Sequence, residues 1–161
     1  MIADAVENAL GDVSTSAAAL LLTLNDRPWA TVTELAHVAG IAQPTAVRVL
    51  DGIARRGWIE RQPRAGRTTP LRLTPLGRKK AKELQSARLG ALERLLTGLP
   101  VADRRVFDRC LDSLLVSATA SRAFAQTTCR LCDRASCDAQ RCPIHRRAAE
   151  LGHGEQEAYG A

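Results

Sequence analysis

The sequence predicts a mainly α-helical fold that carries one small β-hairpin. Apolar residues recur at helical spacing over long stretches, such as residues 78–97 and 101–126. Two shorter helical patterns are separated by Gly40, a residue type that commonly ends helices. Residues 58–62 and 71–74 alternate between apolar and polar, as half-buried strands do.

Composition limits the classes of protein to consider. The chain has 161 residues, of which 45% are hydrophobic and 25% charged, enough for one domain with a real core. The longest apolar run, at 16–24, is shorter than the roughly 20 residues that span a bilayer. The N-terminus also lacks the basic start of a signal peptide. We therefore expect a cytoplasmic protein with no membrane partner.

Positive charge is concentrated in one part of the chain. The formal net charge is +6, and residues 41–82 alone carry 11 basic and 2 acidic residues. Such a basic block is the electrostatic signature of a protein that binds a polyanion. The alternative is a solvated basic face with no partner.

The residues around this block predict two short helices joined by a tight turn. Thr31 and Glu34 have the spacing of a capping box, which marks a helix start. Gly40 ends that helix, because glycine readily adopts the left-handed conformation. A second helix begins near Gln43, with Pro44 in its first turn.

The second helix has one apolar face and one polar face. Ala46, Val49, Leu50 and Ile53 share the apolar face, whereas Val47 and Arg48 lie opposite. This is the pattern of a DNA-binding helix-turn-helix, whose second helix enters the major groove. The candidate DNA contacts on this helix are Gln43, Pro44, Thr45, Val47, Arg48 and Arg55. A glutamine can read adenine, and an arginine can bind phosphate or guanine.

The two alternating segments predict a hairpin with a long tip, PRAGRTTP, at 63–70. Arg64 and Arg67 lie in this glycine-bearing tip, and Arg61 lies in the preceding strand. Arginines so placed can bind the DNA backbone or enter a narrow minor groove. The predicted architecture is therefore a winged helix-turn-helix.

These segments closely resemble the MarR-type winged-helix regulators. TVTELAHVAGIAQPTAVRVLDGIARRGWIERQP is similar to their first helix, recognition helix and first wing strand, and LRLTPLGRK to the second wing strand and linker helix. The resemblance spans roughly residues 14–125. The chain departs from the family at Ala42, where a serine is common, and at Val47, where a small hydroxyl residue is common. Its wing also lacks the frequent aspartate–arginine pattern, so an operator preference does not carry over.

Helices outside the winged helix predict a dimer. Residues 3–10, 78–97 and 101–126 each read as an amphipathic helix whose apolar face needs a partner. The resemblance implies that they form a two-fold interface, and two-fold symmetry in turn implies a near-palindromic operator. We expect Cys110, within residues 101–126, to be a small buried hydrophobic residue.

Four cysteines follow these helices in a C-x2-C-x4-C-x4-C pattern: Cys129, Cys132, Cys137 and Cys142. Clustered cysteines in a reducing compartment favour metal ligation over disulfides. Four thiolates suit a structural Zn²⁺ ion. They also suit an iron–sulfur cluster, because Cys142–Pro143 resembles the Cys-Pro ending of ferredoxin-like cysteine motifs. His145 is a substitute ligand for one cysteine. Metal-free thiols that form a reversible disulfide are the third interpretation.

The sequence thus predicts a mainly α fold: a winged helix-turn-helix with flanking dimerisation helices and a small C-terminal Cys-rich metal-binding loop. The expected segments are N-terminal helices at 1–29, the helix-turn-helix and wing at 30–77, linker and dimerisation helices at 78–126, the Cys-rich module at 127–147 and a disordered tail at 148–161.

The expected function is a homodimeric, sequence-specific regulator of transcription that binds double-stranded DNA and acts as a repressor. A small molecule, or the metal or redox state of the cysteines, would control it. The alternatives are an iron–sulfur or thiol redox sensor, and a protein-interaction scaffold that does not bind DNA. We expect no enzyme, because the three histidines have no partner arrangement typical of a catalytic triad, and no phosphate-binding glycine loop is present.

Overall fold

The computed structural model describes residues 2–64, 69–130, 132–133 and 136–158. These residues divide into two compact units, with the boundary between Leu95 and Leu96. The elements, in chain order, are α1 (Ile2–Leu10), α2 (Thr15–Asp26), α3 (Val32–Ala39), α4 (Gln43–Arg55), β1 (Ile59–Arg61), β2 (Leu71–Leu73), α5 (Pro75–Thr97), α6 (Val101–Ala118), α7 (Arg122–Cys129) and α8 (Pro143–Ala158).

Helix α2 is the centre of the first unit. It packs against α1, α3, α4 and β2, and residues 18–24 are all buried. Thr23, the polar member of this run, donates its hydroxyl to the Ala19 carbonyl at 2.7 Å, so its burial leaves no donor unsatisfied. Leu35 of α3, Leu50 of α4 and Leu71 of β2 are also fully buried. The apolar faces of the helix-turn-helix therefore close around α2.

The predicted start and end signals of the helix-turn-helix are confirmed. Thr31 caps α3, and Oε2 of Glu34 accepts hydrogen bonds from the Thr31 backbone N at 2.7 Å and from its Oγ1 at 2.8 Å. Gly40 ends α3 with φ +68°, in the left-handed region. Helix α4 begins at Gln43 with Pro44 in its first turn.

The hairpin is confirmed, with shorter strands than the alternation predicts. Strands β1 and β2 are antiparallel, and Glu60 lies opposite Arg72. Leu71 also pairs with a third segment: its N donates to the Ala30 carbonyl, and its carbonyl accepts from the Trp29 N, both at 3.1 Å. The residues that precede α3 thus extend the sheet.

Helix α5 begins three residues earlier than the sequence pattern indicates. Pro75 occupies its first position. Oγ1 of Thr74 accepts a hydrogen bond from the Gly77 N at 3.0 Å and donates one to the Gly57 carbonyl at 2.7 Å. Gly77 lies so close to Trp58 that an added Cβ would stand 1.8 Å from the Trp58 carbonyl oxygen. The Thr-Pro-x-Gly motif therefore attaches α5 directly to the hairpin.

The second unit corrects three predictions from the sequence, and the first concerns residues 101–126. Residues 101–126 are not one helix, because α6 ends at Ala118 and α7 starts at Arg122. Thr119 ends α6 by donating its hydroxyl to the Leu115 carbonyl at 2.7 Å. Ser121 then caps α7 by accepting a hydrogen bond from the Phe124 N at 3.1 Å. The apolar residues keep their helical spacing across this break, so the sequence pattern does not indicate it.

Cys110 is exposed within the chain, so the prediction of a buried residue was wrong. The reason is that α6 has no buried residue on any face. Helices α6 and α7 both pack against α8, and Ala125, Pro143 and Ile144 are buried there.

The predicted disordered tail was wrong for residues 148–158, which are part of α8. The alanine, glutamate and glutamine residues of this segment favour a helix. Residues 159–161 lie outside the described part of the chain. Among the described helices, none combines the length and the apolar character that crossing a bilayer requires.

Candidate nucleic-acid interface

Helix α4 separates its side chains into a buried and an exposed face. Ala46, Leu50 and Ile53 are buried, and Val49 is half-buried beside them. The opposite face carries four exposed side chains of the predicted DNA-contact set, Gln43, Pro44, Val47 and Arg48, with Thr45 half-buried. This face is polar except for Pro44 and Val47.

The first turn of α4 lacks a side-chain cap. Ala42 stands at the N-cap position and has no hydroxyl or carboxylate to accept the first N–H groups, and Pro44 removes one donor. Gln43 and Pro44 are exposed, so the start of this helix faces solvent. A helix start that is exposed and uncapped is a suitable place for an anion such as phosphate.

Two predicted contacts lie beyond the first turns of α4. Arg55, the last residue of α4, is exposed. Arg61 of β1 is engaged within the chain, because its Nη2 lies 2.7 Å from Oδ1 of Asp51 in α4. This ion pair is roughly half exposed on both sides and joins the recognition helix to the hairpin. Such a pair contributes little stability but orients both side chains.

The tip of the hairpin is only partly described. Arg64 is exposed. Arg67 lies in residues 65–68, outside the described part of the chain, so its predicted role is untested.

The sequence did not predict a cluster of cations around Trp58. The guanidinium carbon of Arg56 lies 5.0 Å from the centre of the Trp58 ring, and Nζ of Lys80 lies 5.6 Å from it. Arg56 also pairs with Asp12, at 2.9 Å between Nη1 and Oδ2. Aromatic residues make up only 3% of the chain, and a tryptophan close in sequence to several cations is a candidate for cation–π contacts. This was the sequence feature from which the cluster could have been predicted.

A cavity of about 210 Å³ opens beside this cluster. It lies between the start of α2, helix α4 and Trp58, and its lining combines apolar side chains with Asp12, Ser14, Arg48 and Arg56. Arg48 therefore borders the cavity while also belonging to the exposed face of α4.

The four cysteines of the predicted metal site form no disulfide. Cys129 is the last residue of α7 and Cys142 directly precedes α8; both are half-buried, whereas Cys132, Cys137 and His145 are exposed. Among the residues that the structure describes, no three His, Cys, Asp or Glu side chains are grouped closely enough to hold a metal ion. The metal site stays a prediction.

Comparison with known proteins agrees with the winged-helix architecture. Residues 13–66, from the start of α2 into the hairpin tip, match the MarR family. No curated protein matches the chain in sequence.

Solved structures match a larger part of the chain. MepR, a transcription regulator of the Staphylococcus aureus multidrug efflux pump MepA, matches with a TM-score of 0.62 and 20% identity, covering 71% of this chain and 90% of that chain. The MarR family protein Rv2887 of Mycobacterium tuberculosis matches with a TM-score of 0.62 and 26% identity, covering 70% and 84%.

FabT of Streptococcus pneumoniae, solved in complex with DNA, matches with a TM-score of 0.58 and 20% identity, covering 70% and 83%. Residues 13–66 are therefore similar to the MarR family, and the fold is similar to that of solved MarR-type transcription regulators.

Proposed function

We propose that the chain is a homodimeric transcriptional repressor that binds double-stranded DNA in a sequence-specific way, and not an enzyme. The exposed face of α4 carries this proposal. Its buried face fixes the helix on the first unit, while Gln43 and Arg48 point away from the core. A helix presented in this way fits the major groove. FabT, which has a similar fold, was solved in complex with DNA, and this supports DNA binding by the chain.

Within α4, we assign sequence reading and backbone binding to different residues. Gln43 and Thr45 read base edges, because an amide or hydroxyl can pair with the donors and acceptors in the major groove. A good bidentate contact is worth about 1–3 kcal/mol of discrimination between bases. Arg48 binds a base or a phosphate, and the uncapped start of α4 faces the backbone.

The hairpin supplies further backbone contacts. Arg64 and Arg67 bind phosphates or enter the minor groove, and Arg55 adds positive charge at the end of α4. The Asp51–Arg61 ion pair holds the hairpin in a defined position relative to the recognition helix.

Exposed apolar side chains on α6 support the homodimer. Val101 and Leu114 are 67% and 65% exposed, and Val106, Phe107 and Leu111 are exposed as well. Soluble proteins rarely leave such a row of side chains uncovered. A second copy of the chain would cover it, and the resulting two-fold symmetry calls for a near-palindromic operator.

The cavity beside Trp58 supports control by a small molecule. Rv2887 was also solved in complex with salicylic acid. In this chain, Arg48, Ser14 and apolar side chains border the cavity together with Arg56, which pairs with Asp12 at 2.9 Å. Arg48 is therefore the group that would hold the anionic part of a small aromatic ligand. A ligand held by Arg48 would withdraw that arginine from DNA. The metal or redox state of the cysteine segment offers a second route of control.

The central experiment measures DNA affinity against salt concentration, on a site selected from random duplexes. The logarithm of the binding constant should fall with the logarithm of salt by about 0.9 per phosphate contacted. Arg64→Ala should reduce this slope by about that amount while leaving the preferred sequence unchanged. Gln43→Ala should instead relax the preference at one position.

Arg122→Ala is the matched control, because it removes the same charge from an exposed residue of α7. Its slope and preferred sequence should equal those of the unmodified chain. Failure to select any duplex, or binding that does not respond to salt, would refute the proposal. The repressor assignment is tested separately: a reporter behind the selected site should be silenced by the chain and not by the Arg48→Ala variant.

A further inference from the structure

The segment between α7 and α8 has little that holds it in place. In the described residues from 119 to 151, the buried side chains are Thr119, Ala125, Pro143 and Ile144. Three small or ring side chains and one isoleucine bury too little apolar area to order a connection of this length. Small units of this kind usually need a cross-link or a metal ion.

The first two cysteines stand at the two ends of a tight turn. The Cys132 N donates to the Cys129 carbonyl at 3.1 Å, a separation of three residues. In a turn of this type the first and fourth Cα atoms lie within about 7 Å of each other. The hydrogen bond thus holds the Cys129 and Cys132 backbones close together.

A second turn precedes α8. The Asp138 carbonyl accepts hydrogen bonds from the Arg141 N at 3.2 Å and from the Cys142 N at 2.9 Å. Oδ1 of Asp138 also accepts from the Gln140 N at 3.1 Å. Cys137 directly precedes this turn and Cys142 ends it. Cys129 and Cys132 thus lie at the two ends of the first turn, and Cys137 and Cys142 lie on either side of the second.

The two turns are attached to helices that pack together. Cys129 ends α7, Cys142 immediately precedes α8, and these two helices pack together. Arg130, next to Cys129, has a buried Nε that donates to no acceptor among the described residues. A buried donor of this kind usually has a partner.

Charge favours the deprotonated thiols. Residues 129–147 contain five arginines and two aspartates. A Zn²⁺ ion held by four thiolates carries a net charge of −2, which this surplus of positive charge offsets.

We propose that Cys129, Cys132, Cys137 and Cys142 bind one Zn²⁺ ion that ties the end of α7 to the start of α8. In the described residues these sulfurs are not grouped around one centre. Binding of one ion by all four would require the two cysteine pairs to lie closer together, so metal binding would be coupled to local folding. Four thiolates fill the tetrahedral shell, which makes the site structural. Zinc has no redox chemistry, so exposure of Cys132 and Cys137 is compatible with it.

Metal analysis of the full chain, purified with a thiol reductant, tests this site. We expect one zinc per chain and no visible colour. Cys132→Ser and Cys137→Ser should each lose the zinc. Cys110→Ser should retain it, because Cys110 belongs to α6, outside the two turns. A brown protein containing iron would overturn the proposal in favour of an iron–sulfur cluster, and a metal-free chain would overturn it outright.

A second measurement uses the unmodified chain and does not depend on how well a variant folds. Trypsin should cut the zinc-loaded chain slowly after Arg130 and Arg141, and rapidly once a chelator has removed the metal. Added zinc should restore resistance, and magnesium should not. Equal cleavage with and without zinc would refute the site. Neither readout involves DNA, so the outcome is independent of the function proposed above.

Discussion

Gly77 lies where α5 passes closest to the hairpin. A Cβ on this residue would stand 1.8 Å from the Trp58 carbonyl oxygen and 2.8 Å from its carbonyl carbon. The obstacle is backbone, which cannot rotate away as the end of a flexible side chain does. The Thr74 N also donates to the same Trp58 carbonyl at 3.0 Å. Only glycine permits both contacts.

Gly77→Ala should therefore destabilise the fold, by about 1–3 kcal/mol or more, as overpacking usually does. Gly90→Ala, in the same helix, is the matched control, because the nearest atom to its added Cβ is the end of the flexible Arg94 side chain, at 3.5 Å. It should stabilise the chain by roughly 0.5–1 kcal/mol, the usual gain from alanine within a helix. Urea denaturation measures both. A stabilising Gly77→Ala would disprove the close contact.

At the scale of single elements, α3 shows how a short helix is stabilised by its own ends. The hydrogen bonds that the Glu34 carboxylate accepts from the backbone and then the side chain of Thr31 lower the pKa of Glu34 below its ordinary value of 4.5. Burial opposes this shift, and the charge of Arg27 assists it. Because the folded-state pKa is lowered, the ionised carboxylate contributes stability above the unfolded-state pKa. That contribution is lost as the pH falls through the lowered folded-state value.

Glu34→Gln should therefore be less stable than the unmodified chain at neutral pH, and the difference should shrink as the pH falls below 4.5. The measurement is the free energy of unfolding in urea across this pH range. Glu93→Gln removes the same charge from an exposed residue within α5, and so separates the capping bonds from the change in net charge. A difference that does not depend on pH would contradict the role of the ionised cap.

Local signals explain which elements the sequence could predict. Thr31, Gly40 and Pro44 act on the backbone within a few residues, so the helix-turn-helix was readable from them. The break at Thr119 depends on one threonine and one serine within an uninterrupted apolar pattern, and it was missed.

In the candidate site, too, some features could be predicted from the sequence and others could not. The exposed face of α4 follows from helical spacing alone. The Asp51–Arg61 pair joins residues 10 apart, and the cation cluster on Trp58 joins residues 56 and 80. Contacts between elements depend on how the elements pack, which spacing along the chain does not encode.

At the scale of the whole molecule, the apolar side chains of α6 identify the surface that needs a second chain. The sequence pattern predicted an apolar face, and the structure places its members, Val106, Cys110 and Leu114, in the open. Cys110 lies on this same face, so the packing of the chain itself leaves it exposed, and the proposed second copy would cover it.

Leu114→Asp should abolish the proposed dimer, since a carboxylate at a 65% exposed leucine would be buried without a partner in the interface. Light scattering after gel filtration should give the mass of one chain for this variant and of two for the unmodified protein. Leu76→Asp is the control: Leu76 is 54% exposed but lies in the first turn of α5, where a negative charge is favourable. A dimeric Leu114→Asp would show that α6 is not the interface.

The backbone hydrogen bonds between Leu71 and residues 29 and 30 determine which fragment of the chain can fold as a winged helix. The family match ends at residue 66, yet Leu71 is wholly buried and hydrogen-bonds the segment before α3. A fragment cut at residue 66 would leave β1 without a neighbour and an unfilled space beside α2. A recognition module moved into another protein must therefore include β2 and the first turn of α5, through Gly77. The segment that matches the family and the segment that is needed for folding therefore end at different residues.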